Sequence, residues 1–166
     1  DSWPAHCQVL CDSLAVPLQV FQVQVRPGAS LERAAREARY QAFETVTQAG
    51  EVLLTGQHRD DQAETLLFRL LRGAGVRGLA AMPASRPLGR GHLLRPLLTA
   101  SRAELEAYAA ARARYAAGDF AAAAEDFTKL NKSVPTGLYG VYESRCLALA
   151  AKPPPEWNGI WSLVSK

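Results

Sequence analysis

Apolar positions along the chain switch between two periods, about 3.6 and 2 residues, and the switches mark the elements. Residues 3–15 suit a helix that breaks before Pro17. "PLQVFQVQV" (17–25) alternates from Leu18 through Val20 to Val25, with Phe21 interrupting, and predicts a strand. "RPGAS" turns the chain. Ser30 is placed to cap "LERAAREARYQAFETVTQAG" (31–50), whose helical spacing stops at Gly50. "EVLLTG" (51–56) is a short apolar run that predicts a buried strand, and a helix over 61–72 follows, ending at Gly73. A loop rich in Gly, Pro and Arg covers roughly 73–92 and holds no predicted element, and "HLLRPLL" (92–98) then predicts a short strand or extended segment. Ser101, with Glu104 three residues on, predicts a capping box for the next helix.

Strand, helix, strand, helix at this spacing points to an α/β amino-terminal part, an incomplete parallel sheet with flanking helices. After about residue 110 the pattern turns alanine-rich and purely helical, and an all-α repeat-like hairpin is expected. Lysine usage shifts with it: none occurs in residues 1–128, whereas Lys129, Lys132, Lys152 and Lys166 follow. Two domains are therefore predicted, 1–110 and 111–166.

The formal net charge of the 166 residues is only +3, so a nucleic-acid role needs a local basic patch and not a global field. No apolar run approaches the roughly 20 residues of a membrane span, and the expected location is cytoplasmic. Cys7, Cys11 and Cys146 read as buried reduced thiols, and no metal site is taken from them.

Candidate chemistry concentrates in "GQHRDDQAETLLFRLLRGAG" (56–75). Gln57, His58, Asp60, Asp61 and Glu64 precede a leucine-rich helix, at the carboxyl end of a predicted strand, where open parallel sheets bind ligands. Helical spacing puts Asp61, Glu64, Thr65, Phe68 and Arg72 on one side and leaves Leu66, Leu67, Leu70 and Leu71 to be buried. Carboxylates next to phosphates imply a bridging divalent cation, commonly magnesium. Asp61 and Glu64 also satisfy a capping box, which explains those two residues without any ligand. Between Thr65 and Ala103 stand seven arginines (69, 72, 77, 86, 90, 95 and 102) and no acidic residue or lysine. Such a stretch is either an RNA or phosphate surface or an ordinary solvated face.

"EVLLTGQHRDDQAETLLFRLLRGAGVRGLAAMP", with "SLERAAREARYQAF" before it and "LLRPLL" and "SRAELEAYA" after, resembles the bacterial tRNA(Ile)-lysidine synthases over residues 1 to about 110. The H-x-D-D-Q-x-E-T core and the R-L-x-R-G-x-G-x-x-G-L continuation carry the resemblance. It implies an N-type ATP pyrophosphatase fold and a two-step reaction on tRNA(Ile). ATP adenylates the wobble cytidine, and lysine then displaces AMP. By the same resemblance ATP and Mg2+ are the cofactors, with Asp61, Glu64 and His58 catalytic and Asp61 and Glu64 the candidate magnesium ligands. Asp60, Asp61, Glu64, Arg36 and Arg72 would hold the nucleotide, and Arg39, Arg69 and Arg95 the tRNA. The family's S-G-G-x-D-S loop has no counterpart in the sequence, so little synthase activity is expected of this chain alone.

"ARARYAAGDFAAAAEDFTKLNKSVP" fits one helix-turn-helix unit of a tetratricopeptide repeat, with Gly118 at the turn, Ala123 and Phe127 in the packing and Pro135 closing it. An ordinary alanine-rich hairpin fits as well. The tail "PPPEWNGIWSLVSK" resembles the segment after the repeats in bacterial class III adenylate cyclases, without any of their metal-binding aspartates. Trp157 and Trp161 either pack on the helices or meet a partner. The competing functional class is thus a protein-interaction module built on the carboxyl-terminal helices. Two family fragments in one chain imply a natural fusion, an engineered chimera or a mis-joined gene model.

Overall fold

In the computed structural model the described residues are 3–25, 30–73, 80–134 and 136–161. The turn at 26–29, Arg77, Pro135 and residues 162–166 lie outside them. In chain order the elements are α1 (Trp3–Ser13), α2 (Leu31–Val46), β1 (Val52–Leu54), α3 (Arg59–Leu71), β2 (Ser85–Leu88), β3 (Gly91–Leu94), α4 (Arg102–Ala117), α5 (Phe120–Ser133) and α6 (Gly137–Ala151). They fall into two compact units, residues 1–55 with 85–94, and residues 56–84 with 95–166.

The first unit is α1, α2 and a three-stranded sheet in the order β1-β3-β2. β1 pairs with β3 in parallel, Val52 opposite His92 and Leu54 opposite Leu94. β2 pairs antiparallel to β3, Ser85 opposite Leu94 and Leu88 opposite Gly91. The α/β part thus has the expected parallel pair, β1 with β3, and the sheet is mixed because an antiparallel edge strand, β2, comes from the loop assigned no element. Pro87 argues against a central strand, but β2 is an edge strand, where a missing N–H costs nothing. Gly89, at φ +54, closes the hairpin. Leu88 and Leu93 are fully buried, and Gly91 is packed so closely that a Cβ there would collide with the Glu51 carbonyl and sit 2.6 Å from Thr47 Cγ2.

Residues 17–25 do not form the predicted strand: they carry neither strand nor helix. Alternation favours an extended backbone, but a strand also needs a partner ladder, and none of the described residues supplies one. Val20, Phe21 and Val23 are accordingly exposed. The α2 prediction holds, with the Ser30 hydroxyl accepting from the Arg33 N–H, although the helix ends at Val46 and Gly50 (φ +82) serves the turn beyond.

The second unit holds α3 and the helices α4, α5 and α6. Its core is Ala111, Tyr115, Phe120, Ala123, Ala124, Phe127, Leu130, Cys146 and Leu149. Phe127 stacks on Tyr142 at 5.0 Å between centroids, and Tyr115 meets Phe120, Tyr142 and Trp157 edge to face. Small alanines on α5 let α4 and α6 approach, and Gly118 (φ +84) takes the left-handed turn that ends α4. Of the two roles open to Trp157, packing is observed: its indole N–H donates to the Tyr115 carbonyl at 2.9 Å. Burial pushes the Cys146 thiol up to about 11, with Arg112 opposing, so it stays protonated at neutral pH. Cys7 and Cys11 are only half-buried, against expectation.

Helix α3 differs most from its sequence reading. None of its residues is buried, and Leu67, Leu70 and Leu71, predicted to face a core, are 59%, 50% and 85% exposed. The 3.6-residue period gives α3 an apolar face, but burial needs a neighbouring element, and no described one covers these leucines.

Candidate functional site

His58 is the N-cap of α3, one turn earlier than an Asp61–Glu64 capping box would place it. The Asp61 carboxylate reaches back and accepts the His58 backbone N–H at 2.8 Å, satisfying a donor that the helix start leaves open. The imidazole Nδ1 of His58 is buried and has no hydrogen-bond partner among the described residues. It lies 3.4 Å from Asp61 and 3.6 Å from Asp60, close enough for an ion pair whenever the ring is protonated. Glu64, one turn on, is exposed.

Asp60 points elsewhere. Its Oδ2 accepts the Arg102 backbone N–H at 2.8 Å, the first residue of α4. That hydrogen bond holds the Asp60 carboxyl below its ordinary range, with the charges of His58 and Arg102 adding to it and partial desolvation opposing. The Arg59 N–H donates to the Ala100 carbonyl at 2.8 Å, and the Arg59 guanidinium lies 3.4 Å from Glu104. Glu104 meanwhile accepts from both the hydroxyl and the N–H of Ser101, the predicted capping box, and these bonds lower its carboxyl too. The amino-terminal ends of α3 and α4 are thus locked together by their own capping groups.

Two further side chains of α3, Gln62 and Arg69, and Arg95 after β3 hold residues 80–84. The Gln62 amide forms two bonds to Met82, donating to its carbonyl at 2.8 Å and accepting its N–H at 2.7 Å. Arg69 donates to the Ala80 carbonyl. Arg95, 3% exposed, donates its Nη1–H to the Pro83 carbonyl at 2.8 Å, and its backbone N–H goes to Ala84. Gln62 enters the sequence reading only as the glutamine of the H-x-D-D-Q-x-E-T core, without a role, because a clamp on a distant backbone leaves no local pattern. Arg72 lies over the Phe68 ring at 3.9 Å. Arg36 and Arg39 stand on α2 in the first unit, with Arg36 5.2 Å from the Tyr40 ring.

The structure therefore brings His58, Asp60 and Asp61 together at the start of α3, with Glu64 on the next turn. A bare helix start attracts phosphate, but here two first-turn carboxylates stand in the way. An anionic ligand would need a cation between itself and these groups. No three of the described His, Cys, Asp and Glu side chains form a metal-sized cluster. A carboxylate pair alone suits magnesium, which takes one or two protein carboxylates and completes its shell with phosphate oxygens and water. Among the described residues the donor set is a carboxylate pair, which would suit Mg2+ shared with nucleotide phosphates. No described helix is long and apolar enough to cross a membrane.

A family model described as a PP-loop domain matches residues 1–129. The tRNA(Ile)-lysidine synthase of Pseudomonas fluorescens (strain Pf0-1) is 76% identical over 109 residues, 66% of this chain and 25% of that protein. Its counterpart in Pseudomonas aeruginosa is 71% identical over 111 residues, 67% of this chain and 25% of that protein. That of Coxiella burnetii is 50% identical over 111 residues, 66% of this chain and 25% of that protein. The chain spans about a quarter of the length of these curated relatives.

Proposed function

The chain belongs to the PP-loop domain family, and on that premise we propose that it is a segment of a cytoplasmic tRNA(Ile)-lysidine synthase. The observation that carries this is the 76% identity over 109 residues to the Pseudomonas fluorescens enzyme. In the full reaction ATP would adenylate a tRNA(Ile) cytidine and lysine would displace AMP. Asp61 and Glu64 would hold Mg2+ and through it the ATP phosphates. The cation would supply charge neutralisation at those phosphates. His58, its Nδ1 buried 3.6 Å from Asp60 and 3.4 Å from Asp61, would shape the same pocket and orient those carboxylates.

Among the residues assigned by resemblance, three have structural duties that narrow their roles. Asp60 caps α4, and Arg69 and Arg95 bind backbone carbonyls, so these three would shape the pocket and tRNA surface at one remove. Arg72, Arg36 and Arg39 are exposed and remain the candidates for direct phosphate or tRNA contact. A division near residue 110 is kept as part of the proposal; it would fall inside α4, which runs unbroken from Arg102 to Ala117. The cyclase likeness of the tail draws no support from the relatives above and carries no activity. Under the second reading α4–α6 form a protein-interaction module, favoured by their self-contained aromatic core.

Calorimetric titration with ATP·Mg2+ tests the site. Heat of binding that falls at least about tenfold in affinity on Asp61→Asn supports it, since a lost charge-assisted contact is worth that much. Equal affinity in both proteins would remove Asp61 from the nucleotide site.

A further inference from the structure

Tyr40 gathers two guanidinium groups. Arg36, one turn earlier on α2, lies 5.2 Å from its ring centroid, and Arg86, on β2, lies 4.7 Å from it. Arg39 stands exposed next to them on α2. None of these three arginines makes an ion pair among the described residues, whereas Arg33 on the same helix is paired with Glu37 at 2.8 Å. Arg86 donates one Nη1–H to the Pro87 carbonyl. The acidic residues of α2 are Glu32, Glu37 and Glu44, of which Glu37 is neutralised by Arg33.

Two like charges on one ring repel each other, and the ring's quadrupole offsets that only in part. An anion shared between them relieves the repulsion, and the guanidinium fork matches a phosphate. Because both guanidinium groups lie over the Tyr40 ring, the ring holds the two forks side by side, as phosphates carried on one chain require. Phosphates spaced along a chain with flat bases between them are the chemistry of single-stranded RNA, such as an exposed tRNA loop. We propose that Tyr40, Arg36 and Arg86 form a binding patch for the backbone of single-stranded RNA. The proposal rests on the lysidine-synthase reading for the kind of partner, and adds Tyr40 and Arg86 to the residues that would meet it.

Fluorescence anisotropy of the chain with a labelled single-stranded RNA oligonucleotide, over a series of salt concentrations, tests the patch. Arg86→Gln should weaken binding about tenfold and make the logarithmic salt slope shallower by about 0.7, the loss of one phosphate contact on a single strand. Arg86→Lys should keep the slope and lose part of the affinity, because it retains the charge without the fork or the stack. Arg33→Gln, whose side chain is already paired, should bind as the unmodified chain does. Arg36→Gln, at an exposed helical position, repeats the test if Arg86→Gln does not fold. Identical binding by the Arg86, Arg36 and Arg33 variants overturns the proposal, as does absence of salt-dependent RNA binding by the unmodified chain. The nucleotide site is judged separately, by the ATP·Mg2+ titration: loss of that binding with salt-dependent RNA binding retained counts against the nucleotide site and not against the patch.

Discussion

At the scale of single residues, one carboxylate shows how a motif can carry two duties. By resemblance Asp60 and Asp61 both line the nucleotide site, yet Asp60 accepts the first N–H of α4 and Asp61 caps the helix it belongs to. The Asp60 duty has a pH signature. Its carboxyl is held below the ordinary 3.8 by the Arg102 N–H. A group whose pKa is lower folded than unfolded stabilises the fold above the unfolded value and loses that contribution as pH falls through the folded one. Asp60→Asn should therefore melt at a lower temperature than the unmodified chain at neutral pH, and the gap should close as the pH drops below about 4. Thermal melts at a series of pH values check this. A gap that stays constant into acid would mean the carboxylate charge contributes nothing to the lock between α3 and α4.

Elements were legible wherever the local pattern and the cap agreed. Ser30 and Ser101 start their helices as predicted, and Gly118 ends α4 as the turn glycine. What the sequence could not reveal depended on neighbours. Residues 17–25 alternate as a strand does but find no ladder partner, and the leucines of α3 have the period of a buried face without a described cover. β2 went unread because Pro87 is acceptable only at a sheet edge, and edge position is a property of the whole sheet. Gly91 is the most constrained point of that sheet. Gly91→Ala should destabilise the chain by about 1–3 kcal/mol through overpacking against Glu51 and Thr47. Gly56→Ala, with nothing within 4 Å of the added Cβ, is the matched control. Urea unfolding of both decides it, and equal midpoints would show that the Thr47–Glu51 turn yields freely.

At the scale of the whole molecule, the family was more legible than the architecture. The H-x-D-D-Q-x-E-T core is contiguous, so the family could be read from it before any contact was known, and the match over residues 1–129 agrees. The Arg36–Tyr40–Arg86 contact joins an α-helix to an edge strand that the sequence did not announce, so it emerged only from the fold. Exposed apolar groups remain on both units, among them Val52 and Leu54 on β1 and Leu67, Leu70 and Leu71 on α3. Activity is therefore best measured with the segment set inside a complete relative. The direct test replaces the matching segment of the Pseudomonas fluorescens lysidine synthase with residues 1–110 of this chain and follows lysine-dependent AMP release on tRNA(Ile). The account predicts release by the hybrid enzyme and its loss by about 100-fold or more on Asp61→Asn, the scale of a removed electrostatic contact to the reacting groups. An inert hybrid that is folded, or one indifferent to Asp61→Asn, would contradict it.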